Sequence, residues 1–286
     1  MKIVQIGTGG WGKNHCRVLS ELGVLSAVCD KDLHLAEEFG KKYSVNFYNS
    51  LETLLEKEEF DAAFICTPTI THADIATKLI ESKKHVFVEK PLTYLSDDGK
   101  KLVDMANKNN VVLTCGYIER FNPAVSTVKD FLTSKKYGDL IRLEFYREHR
   151  MPQHIKDVGI IYDTAVHDID TAMWLFGKTP EVVFAIAGKI NHEHEDFATI
   201  MLGFKDNKTA TISSNWITPT RVRNFNAVCT DGRIFSDFIT QEIRIETDHG
   251  TENPKNEKTE PLLLEIKNFL GAIETKNDIK VKAEQA

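Results

Sequence analysis

The chain has 286 residues, 42% of them hydrophobic and 27% charged, with a formal net charge of −6 at pH 7. That length suits two domains, and the apolar content is sufficient for a core in each. The negative charge gives no reason to expect a nucleic-acid partner, and no apolar run approaches the roughly 20 residues that cross a bilayer.

The first stretch, residues 2–22, is organised as a strand, a tight turn and a helix. An apolar run is followed by Gly7, Gly9 and Gly12 at G-x-G-x-x-G spacing. In a dinucleotide-binding turn, the first glycine permits the turn, the second lets the backbone approach a pyrophosphate, and the third lets the helix pack on the strand. The helix N-terminus adds N–H groups and a partial positive charge. We therefore predict a dinucleotide site; the alternative is a doubly wound domain without a cofactor.

A second apolar strand ends in Asp30. An acid at this position can hydrogen-bond both ribose hydroxyls of an adenosine and repels a 2′-phosphate, so NAD is favoured over NADP. Lys31 follows directly, and its positive charge would also allow NADP to bind.

Strands then alternate with helices. The predicted strands are residues 3–6, 25–29, 45–48, 62–66, 85–88 and 111–115, and the helices between them include 33–43, 51–57, 72–82 and 96–109. This alternation predicts a parallel sheet with right-handed crossovers, in which ligands bind beyond the carboxyl ends of the strands. The residues expected to share that edge are Gly7, Asp30, Thr67, Lys90 and Gly116.

After residue 121 the pattern changes to closely spaced strands. The predicted elements are helices 123–133 and 163–176, strands 140–147, 182–189, 197–204, 209–216, 221–230, 233–238 and 242–246, and a last helix from residue 262. Few helices among many strands indicate a largely antiparallel open sheet. The predicted fold is thus an α/β Rossmann domain, residues 1–121, followed by an α+β substrate-binding and oligomerisation domain, residues 122–286.

Two further expectations concern assembly and location. The alternation in residues 209–213 makes one sheet face polar but uncharged, which favours an interface in a homodimer or homotetramer over a solvated surface. The cysteines form no C-x-x-C pair and lie mostly in apolar runs, as is typical of a cytoplasmic protein: Cys16, Cys29, Cys66, Cys115 and Cys229. Because the first strand begins at once, we expect no signal peptide.

Two groups of residues could carry chemistry. Lys90 lies between Glu89 and Pro91 at a strand end; taken alone, it is better interpreted as a surface lysine. Asp163 and His167 are four residues apart on a predicted helix, so the carboxylate can set the tautomer and basicity of the imidazole. The alternative is a helix cap and a structural histidine.

A metal site is not expected. His192 and His194 have spacing that could ligate a metal, but they lie between two strands, where a solvated loop is the better interpretation.

These features together resemble the Gfo/Idh/MocA family of sugar and cyclitol oxidoreductases, over nearly the whole chain. The matching motifs are Gly7-Thr8-Gly9-Gly10-Trp11-Gly12, Cys66-Thr67-Pro68 with His72, Glu89-Lys90-Pro91, and residues 163–170, which end in Asp170. The resemblance implies that Lys90, Asp163 and His167 are catalytic. It also implies that Thr67, Pro68, His72 and Glu89 border the cofactor, together with the glycine-rich motif, Asp30 and Lys31.

A narrower similarity lies in residues 116–125, which contain Arg120-Phe121-Asn122-Pro123, and in residues 157–159. These resemble the branch of the family that oxidises the 3-hydroxyl of UDP-N-acetylglucosamine or its uronic acid. Two departures stand out. Many members carry a glycine triplet before the catalytic aspartate, where this chain has Val158-Gly159-Ile160. Members also usually continue into a further C-terminal helix, so a shortened chain is one interpretation of this sequence.

The segment between the strand ending near residue 147 and Asp163 is rich in cations. It carries Arg147, His149, Arg150, His154 and Lys156. Arginine forks match phosphate oxygens, so a nucleotide-linked sugar is favoured over a free one. The alternative is that these cations pair with surface acids. The substrate-binding residues we predict are Lys90, Arg120, Asn122, Arg147, Arg150 and His167.

The predicted activity is a reversible, NAD-dependent oxidation of a sugar hydroxyl. His167 accepts the hydroxyl proton, Asp163 balances its charge, and Lys90 donates a hydrogen bond to the developing alkoxide, although either Lys90 or His167 could be the formal proton acceptor. One alternative is the same chemistry on a free sugar or inositol. Another is a non-catalytic regulator that senses NAD, which would not need Lys90 or His167.

Overall fold

The computed structural model describes residues 1–152, 155, 158–275 and 278–286. These residues form two compact units. One comprises Met1–Tyr117 together with Leu262–Ala286, and the other comprises Ile118–Pro261.

The first unit contains a six-stranded sheet in which every neighbouring pair is parallel. Its strands are β1 (Ile3–Ile6), β2 (Leu25–Cys29), β3 (Asn46–Tyr48), β4 (Ala62–Ile65), β5 (His85–Glu89) and β6 (Leu113–Gly116), in the order β3-β2-β1-β4-β5-β6. The strand order reverses at β1, so a crevice opens beyond the carboxyl ends of β1 and β4, the usual ligand site of such sheets. The predicted Rossmann fold is confirmed.

The helices of this unit alternate with the strands as predicted. They are α1 (Gly12–Glu21), α2 (Leu33–Tyr43), α3 (Leu51–Lys57), α4 (His72–Glu81) and α5 (Ser96–Asn109). Local signals fix several of their ends. Asp32 caps α2 by accepting from the N–H groups of His34 and Leu35, and Ser50 caps α3 by accepting from the N–H of Thr53.

The last helix of the chain packs in the first unit, whereas the sequence-based boundaries placed it in the second. Helix α8 (Pro261–Thr275) inserts Phe269 against Phe64 of β4 and Phe87 of β5, with ring centroids 5.3 and 5.7 Å away. The hydroxyl of Thr114 in β6 donates to the carbonyl of Val281 at 2.7 Å. The first unit is therefore discontinuous, because its core is completed by a helix that follows it by more than a hundred residues.

The second unit contains an eight-stranded sheet that is antiparallel except for one pair, as predicted. Its strands are β7 (Leu140–Glu148), β8 (Val182–Gly188), β9 (Phe197–Phe204), β10 (Lys208–Asn215), β11 (Val222–Cys229), β12 (Gly232–Asp237), β13 (Ile243–Thr247) and β14 (Gly250–Glu252), in the order β14-β13-β12-β11-β7-β10-β9-β8. The parallel pair is β7 with β10, at the centre of the sheet.

One face of this sheet carries the core of the second unit. Helices α6 (Pro123–Thr133) and α7 (Val166–Phe176) contribute Val125, Val128 and Leu175 to that core. Phe145 of β7 and Phe225 of β11 stack at its centre, 5.3 Å apart. Among the helices that the structure describes, none is long and apolar enough to cross a bilayer.

The helix predicted over residues 163–176 has a different start. A π-helical turn, Ile161–Ala165, precedes α7, so Asp163 lies in the wider turn and His167 in the first turn of the α-helix. π-Helical turns of this kind occur frequently at functional sites.

Candidate functional site

The glycine loop of the first unit has the close backbone packing that its spacing predicts. Gly7 has φ +83°, and a Cβ there would collide with the carbonyl oxygen of Cys66, at the end of β4. A Cβ on Gly12 would collide with the carbonyl of Gly7. Both positions therefore exclude any larger residue, because the loop, the helix and the neighbouring strand meet there.

The outer edge of the loop is open. Among the described residues, a Cβ on Gly9 would meet only Leu35 Cδ1, at 3.9 Å. Helix α1 begins after Trp11, whose side chain makes no capping bond within the described part of the chain. An uncapped helix start beside an open glycine fits a pyrophosphate group.

Asp30 follows β2 and is held over this loop. Its Oδ2 accepts from the backbone N–H of Thr8 at 2.7 Å and from the Thr8 hydroxyl at 3.0 Å, while its Oδ1 accepts from the N–H of Asp32 at 3.0 Å. A carboxylate offers about four acceptor positions, so about one remains for a ribose hydroxyl. Lys31, next to it, is exposed. The residues present thus fit an adenosine dinucleotide.

His72 ties together the two loops that follow β4 and β5. Its Nε2 lies 2.9 Å from the carbonyl oxygen of Thr67, and its Nδ1 lies 2.9 Å from that of Pro91. Burial lowers the pKa of this imidazole, against the effect of the two carbonyl groups. His72 is 1% exposed, so it positions the Thr67-Pro68 loop rather than presenting a polar group at the surface.

Glu89 faces inward and supports the start of the Lys90 loop. Its Oε1 lies 2.7 Å from Nε2 of His15, a fully buried residue of α1, and its Oε2 accepts from the backbone N–H of Lys90 at 3.2 Å. A Cβ on Gly116 would lie 2.8 Å from the Glu89 carboxylate, so that glycine makes room for it. Lys90 itself is half-buried.

Cys66 adjoins the same pair. The ligand atoms of His15, Cys66 and Glu89 all lie within 4.8 Å of one another, which brings together three metal-binding residue types. Burial, followed by the charge of Glu89, raises the pKa of the Cys66 thiol well above its ordinary value.

In the second unit, Asp163 and His167 lie on one continuous helical segment. The hydroxyl of Thr164 donates to Asp163 Oδ2 at 3.1 Å, and the hydroxyl of Thr171 donates to the carbonyl of His167 at 2.8 Å. Both side chains are half-buried. Asp163 lies in the π-helical turn, and His167, four residues later, lies in the first turn of α7.

A buried ion network lies behind these two residues. Arg147 of β7 donates to Asp168 of α7 at 2.8 Å and to Glu119 at 3.0 Å, with its guanidinium 4.8 Å from the ring centroid of Phe238. All three charged side chains of the network are less than 10% exposed. Burial opposes the positive charge, but Asp168 and Glu119 together raise the pKa of Arg147.

A second buried pair joins Arg120 to Asp170. The guanidinium donates to the carboxylate at 2.6 Å through Nη2 and at 2.9 Å through Nε, and both side chains are 3% exposed. Asn122 caps α6 by accepting from the N–H of Ala124, and its amide donates to the carbonyl of Phe238 at 2.9 Å.

The structure gives three of the predicted substrate ligands partners inside the second unit. Arg120, Asn122 and Arg147 are buried and donate hydrogen bonds there, so they contribute to its framework, and their role as substrate ligands stays a prediction. Arg150 is exposed, as a ligand requires. The other two basic residues predicted near it, His154 and Lys156, lie outside the described residues.

The family profiles match both units. Residues 1–117 match the oxidoreductase family with an NAD-binding Rossmann fold, Gfo/Idh/MocA, and residues 125–235 match the C-terminal domain of the same family. The chain belongs to the Gfo/Idh/MocA family. It is thus an oxidoreductase with an NAD-binding Rossmann domain, as the sequence predicts.

Several relatives within this family are dehydrogenases. A UDP-N-acetylglucosamine 3-dehydrogenase from Acidithiobacillus ferrooxidans is 26% identical over 96% of this chain and 88% of the relative. A solved structure of that enzyme has a TM-score of 0.92 at 25% identity, covering 100% of this chain and 92% of the other. A myo-inositol 2-dehydrogenase from Thermotoga maritima is 27% identical over 87% of this chain and 78% of the relative.

Sequence reasoning missed two residues that this Gfo/Idh/MocA chain places next to its predicted site. His15 supports Glu89, and Arg223 of β11 lies opposite Arg147 in the register of the sheet. His15 lies three residues after Gly12, on the helix face that packs on the sheet, so helical periodicity could have found it. Arg223 carries no such signal, because its neighbours are set by strand pairing.

Proposed function

We propose that this protein oxidises a secondary hydroxyl of a nucleotide sugar, with the 3-hydroxyl of UDP-N-acetylglucosamine as the first choice. The observation that carries this proposal is the similarity to the Acidithiobacillus enzyme, which extends over 96% of the chain and both units. The resemblance of the segment Arg120-Phe121-Asn122-Pro123 supports the same branch.

NAD, when bound, supplies the hydride acceptor for this oxidation. Gly7, Thr8, Gly9, Gly10, Trp11 and Gly12 would hold its pyrophosphate, and Asp30 its adenosine ribose. Thr67, Pro68 and Glu89 border that region through the loops that His72 and His15 position.

The acid–base work falls to three residues assigned by the family resemblance. His167 accepts the proton of the substrate hydroxyl, and Asp163 favours the protonated imidazole. Lys90 donates a hydrogen bond to the oxygen as negative charge develops on it.

Oxidation of a free inositol is the second candidate. It is favoured by the similarity to the myo-inositol 2-dehydrogenase, which covers 87% of the chain. The chemistry at the hydroxyl is the same in both cases, so the two candidates differ only in the rest of the substrate.

A substrate panel tests the proposal. NAD reduction is followed at 340 nm with UDP-N-acetylglucosamine, its uronic acid, free N-acetylglucosamine and myo-inositol as substrates. We expect the highest kcat/KM for a nucleotide sugar and far lower values for the free sugar and the inositol. A higher kcat/KM for myo-inositol would replace the proposal with the second candidate.

A further inference from the structure

Arg223 lies at the end of the sheet where β7 finishes and β11 begins. It pairs directly with Arg147 in the antiparallel register of these strands, and Ser214 of β10 pairs with Arg147 from the other side. Residues opposite each other in a sheet project to the same face. Ser214, Arg147 and Arg223 therefore form one row on the face that carries the core of the second unit.

The two arginines of this row differ in their partners. Arg147 bonds to both Glu119 and Asp168. Among the described residues, Arg223 has no carboxylate partner, and its Nε is buried without a hydrogen-bond acceptor. A buried donor without an acceptor is unfavourable, and more so when it is charged. Within the described part of the chain, the Nε of Arg223 is therefore available to donate to an anionic ligand.

Two further cations act on Arg223, together with two carboxylates. Burial, together with the charges of Arg147 and Arg221, lowers the pKa of Arg223 to about 10, even though Glu119 and Asp168 act in the opposite direction. The side chain thus stays protonated at neutral pH. Arg221, two residues earlier, is exposed and adds a second cation at the same end of the sheet.

The charges of Arg223, Arg221 and the predicted catalytic aspartate all act on one residue, His149. Burial lowers the pKa of His149, which follows β7; the charges that act on this imidazole include Arg223, Asp163 and Arg221. The imidazole of His149, which is half-buried, is therefore within electrostatic reach of both Arg223 and Asp163. All four residues belong to the second unit.

We propose that Arg223, assisted by Arg221, binds an anionic oxygen group of the substrate, either a phosphoryl group or a carboxylate. This inference rests on the proposed function, and it replaces Arg147 as the ligand of that group. A guanidinium presents a planar fork that matches such oxygens, and the bonds so formed are charge-assisted. A free inositol has no charge to offer, so this residue would separate nucleotide sugars from polyols.

The principal test is the pair of variants Arg223→Met and Arg223→Lys, assayed with saturating NAD. Arg223→Met is expected to raise the KM for the nucleotide sugar about tenfold or more while kcat changes far less, because a charge-assisted bond in the ground state is lost. Arg223→Lys is expected to restore part of that loss. Arg244→Met, an exposed arginine on β13 of the same sheet, is the matched control and should leave the KM unchanged.

The two sources of the anion are separated by comparing UDP-N-acetylglucosamine with its uronic acid. If Arg223→Met raises the KM for both nucleotide sugars, Arg223 binds the diphosphate. If it raises the KM for the uronic acid alone, Arg223 binds the carboxylate. The melting temperature of Arg223→Met should not fall, because removal of an unpaired buried charge costs little stability. An unchanged KM for both nucleotide sugars, or a large fall in melting temperature with KM unchanged, overturns the proposal.

Pyrophosphate and glucuronate binding, measured by calorimetry without NAD, keeps this inference separable from the proposed function. If the unaltered protein oxidises only inositol, the proposed function fails, and Arg223 is then judged by these two anions alone. Weaker binding of either anion to Arg223→Met supports the anion site. The anion site is overturned if pyrophosphate and glucuronate each bind equally well to the unaltered protein and to Arg223→Met, or if neither anion binds.

Discussion

The carboxylate of Asp30 accepts hydrogen bonds from Thr8 of the glycine loop, and we predict that its negative charge lies where a 2′-phosphate would bind. Asp30→Ala would remove both effects, whereas Asp30→Asn keeps an acceptor oxygen for Thr8 and removes only the charge. We expect NAD to bind more tightly than NADP to the unaltered protein, and Asp30→Asn to narrow the difference. Fluorescence titration measures the dissociation constants of NAD and NADP for both proteins. Tighter NADP binding by the unaltered protein would contradict the assignment.

Lys90 and His167 are predicted to act in the chemical step and not in cofactor binding. Lys90→Ala and His167→Ala should each lower kcat about 100-fold or more, the scale of a general acid–base contribution. The dissociation constant for NAD should change little, since the glycine loop and Asp30 bind it. Steady-state assays and NAD titration measure the two quantities.

Exposed residues of the same type provide the controls. Lys100→Ala on α5 and His34→Ala on α2 alter solvent-exposed side chains and should leave turnover unchanged. Near-normal turnover in either Lys90→Ala or His167→Ala would remove that residue from the mechanism.

Strand β7, helix α7 and the turn that holds Glu119 are joined by one buried ion network. Arg147→Met would leave Glu119 and Asp168 without their cation, and breaking a buried pair in this way typically costs about 3–5 kcal/mol. We therefore expect a marked fall in the free energy of unfolding, measured by urea titration. Arg142→Met, which alters an exposed arginine of the same strand, should change it little.

This experiment also separates the framework role of Arg147 from the substrate-binding role that the sequence suggested. A variant Arg147→Met that unfolds at the same urea concentration as the unaltered protein, but shows a raised KM for a nucleotide sugar, would restore the substrate-binding role.

For the whole molecule, the open question is assembly. The edge strand β8 exposes Val182, Val183, Phe184 and Ile186, each at least 60% accessible, and such a concentration of apolar side chains marks an interaction surface. We expect a homodimer or homotetramer that covers this strand and the polar face of the sheet. Light scattering at micromolar concentration measures the mass.

A charged substitution tests which surface is covered. Phe184→Asp with Ile186→Asp should yield a smaller species, whereas Leu33→Asp, on an exposed apolar residue of α2, should not. A monomeric unaltered protein, or an oligomer that persists in the double variant, would count against this interface.

The sequence alone determined the architecture of both units, because the relevant signals are local. The glycine spacing, the alternation of strands and helices, and the close succession of later strands each lie within a short window, and each predicted element has a counterpart in the structure. Local geometry also fixed which residues share the carboxyl edge of the parallel sheet. The family and the class of enzyme followed from motifs of the same kind.

Tertiary structure decided what local patterns could not contain. Phe269 assigns the last helix to the first unit because its contacts are with strands far away in sequence. The sequence shows Arg147 and Arg223 only as two cations. Strand register places them side by side. Arg147 pairs with Glu119 and Asp168, whereas the Nε of Arg223 has no acceptor among the described residues. Which charge is neutralised depends on distances across the fold, and no pattern along the chain records those distances.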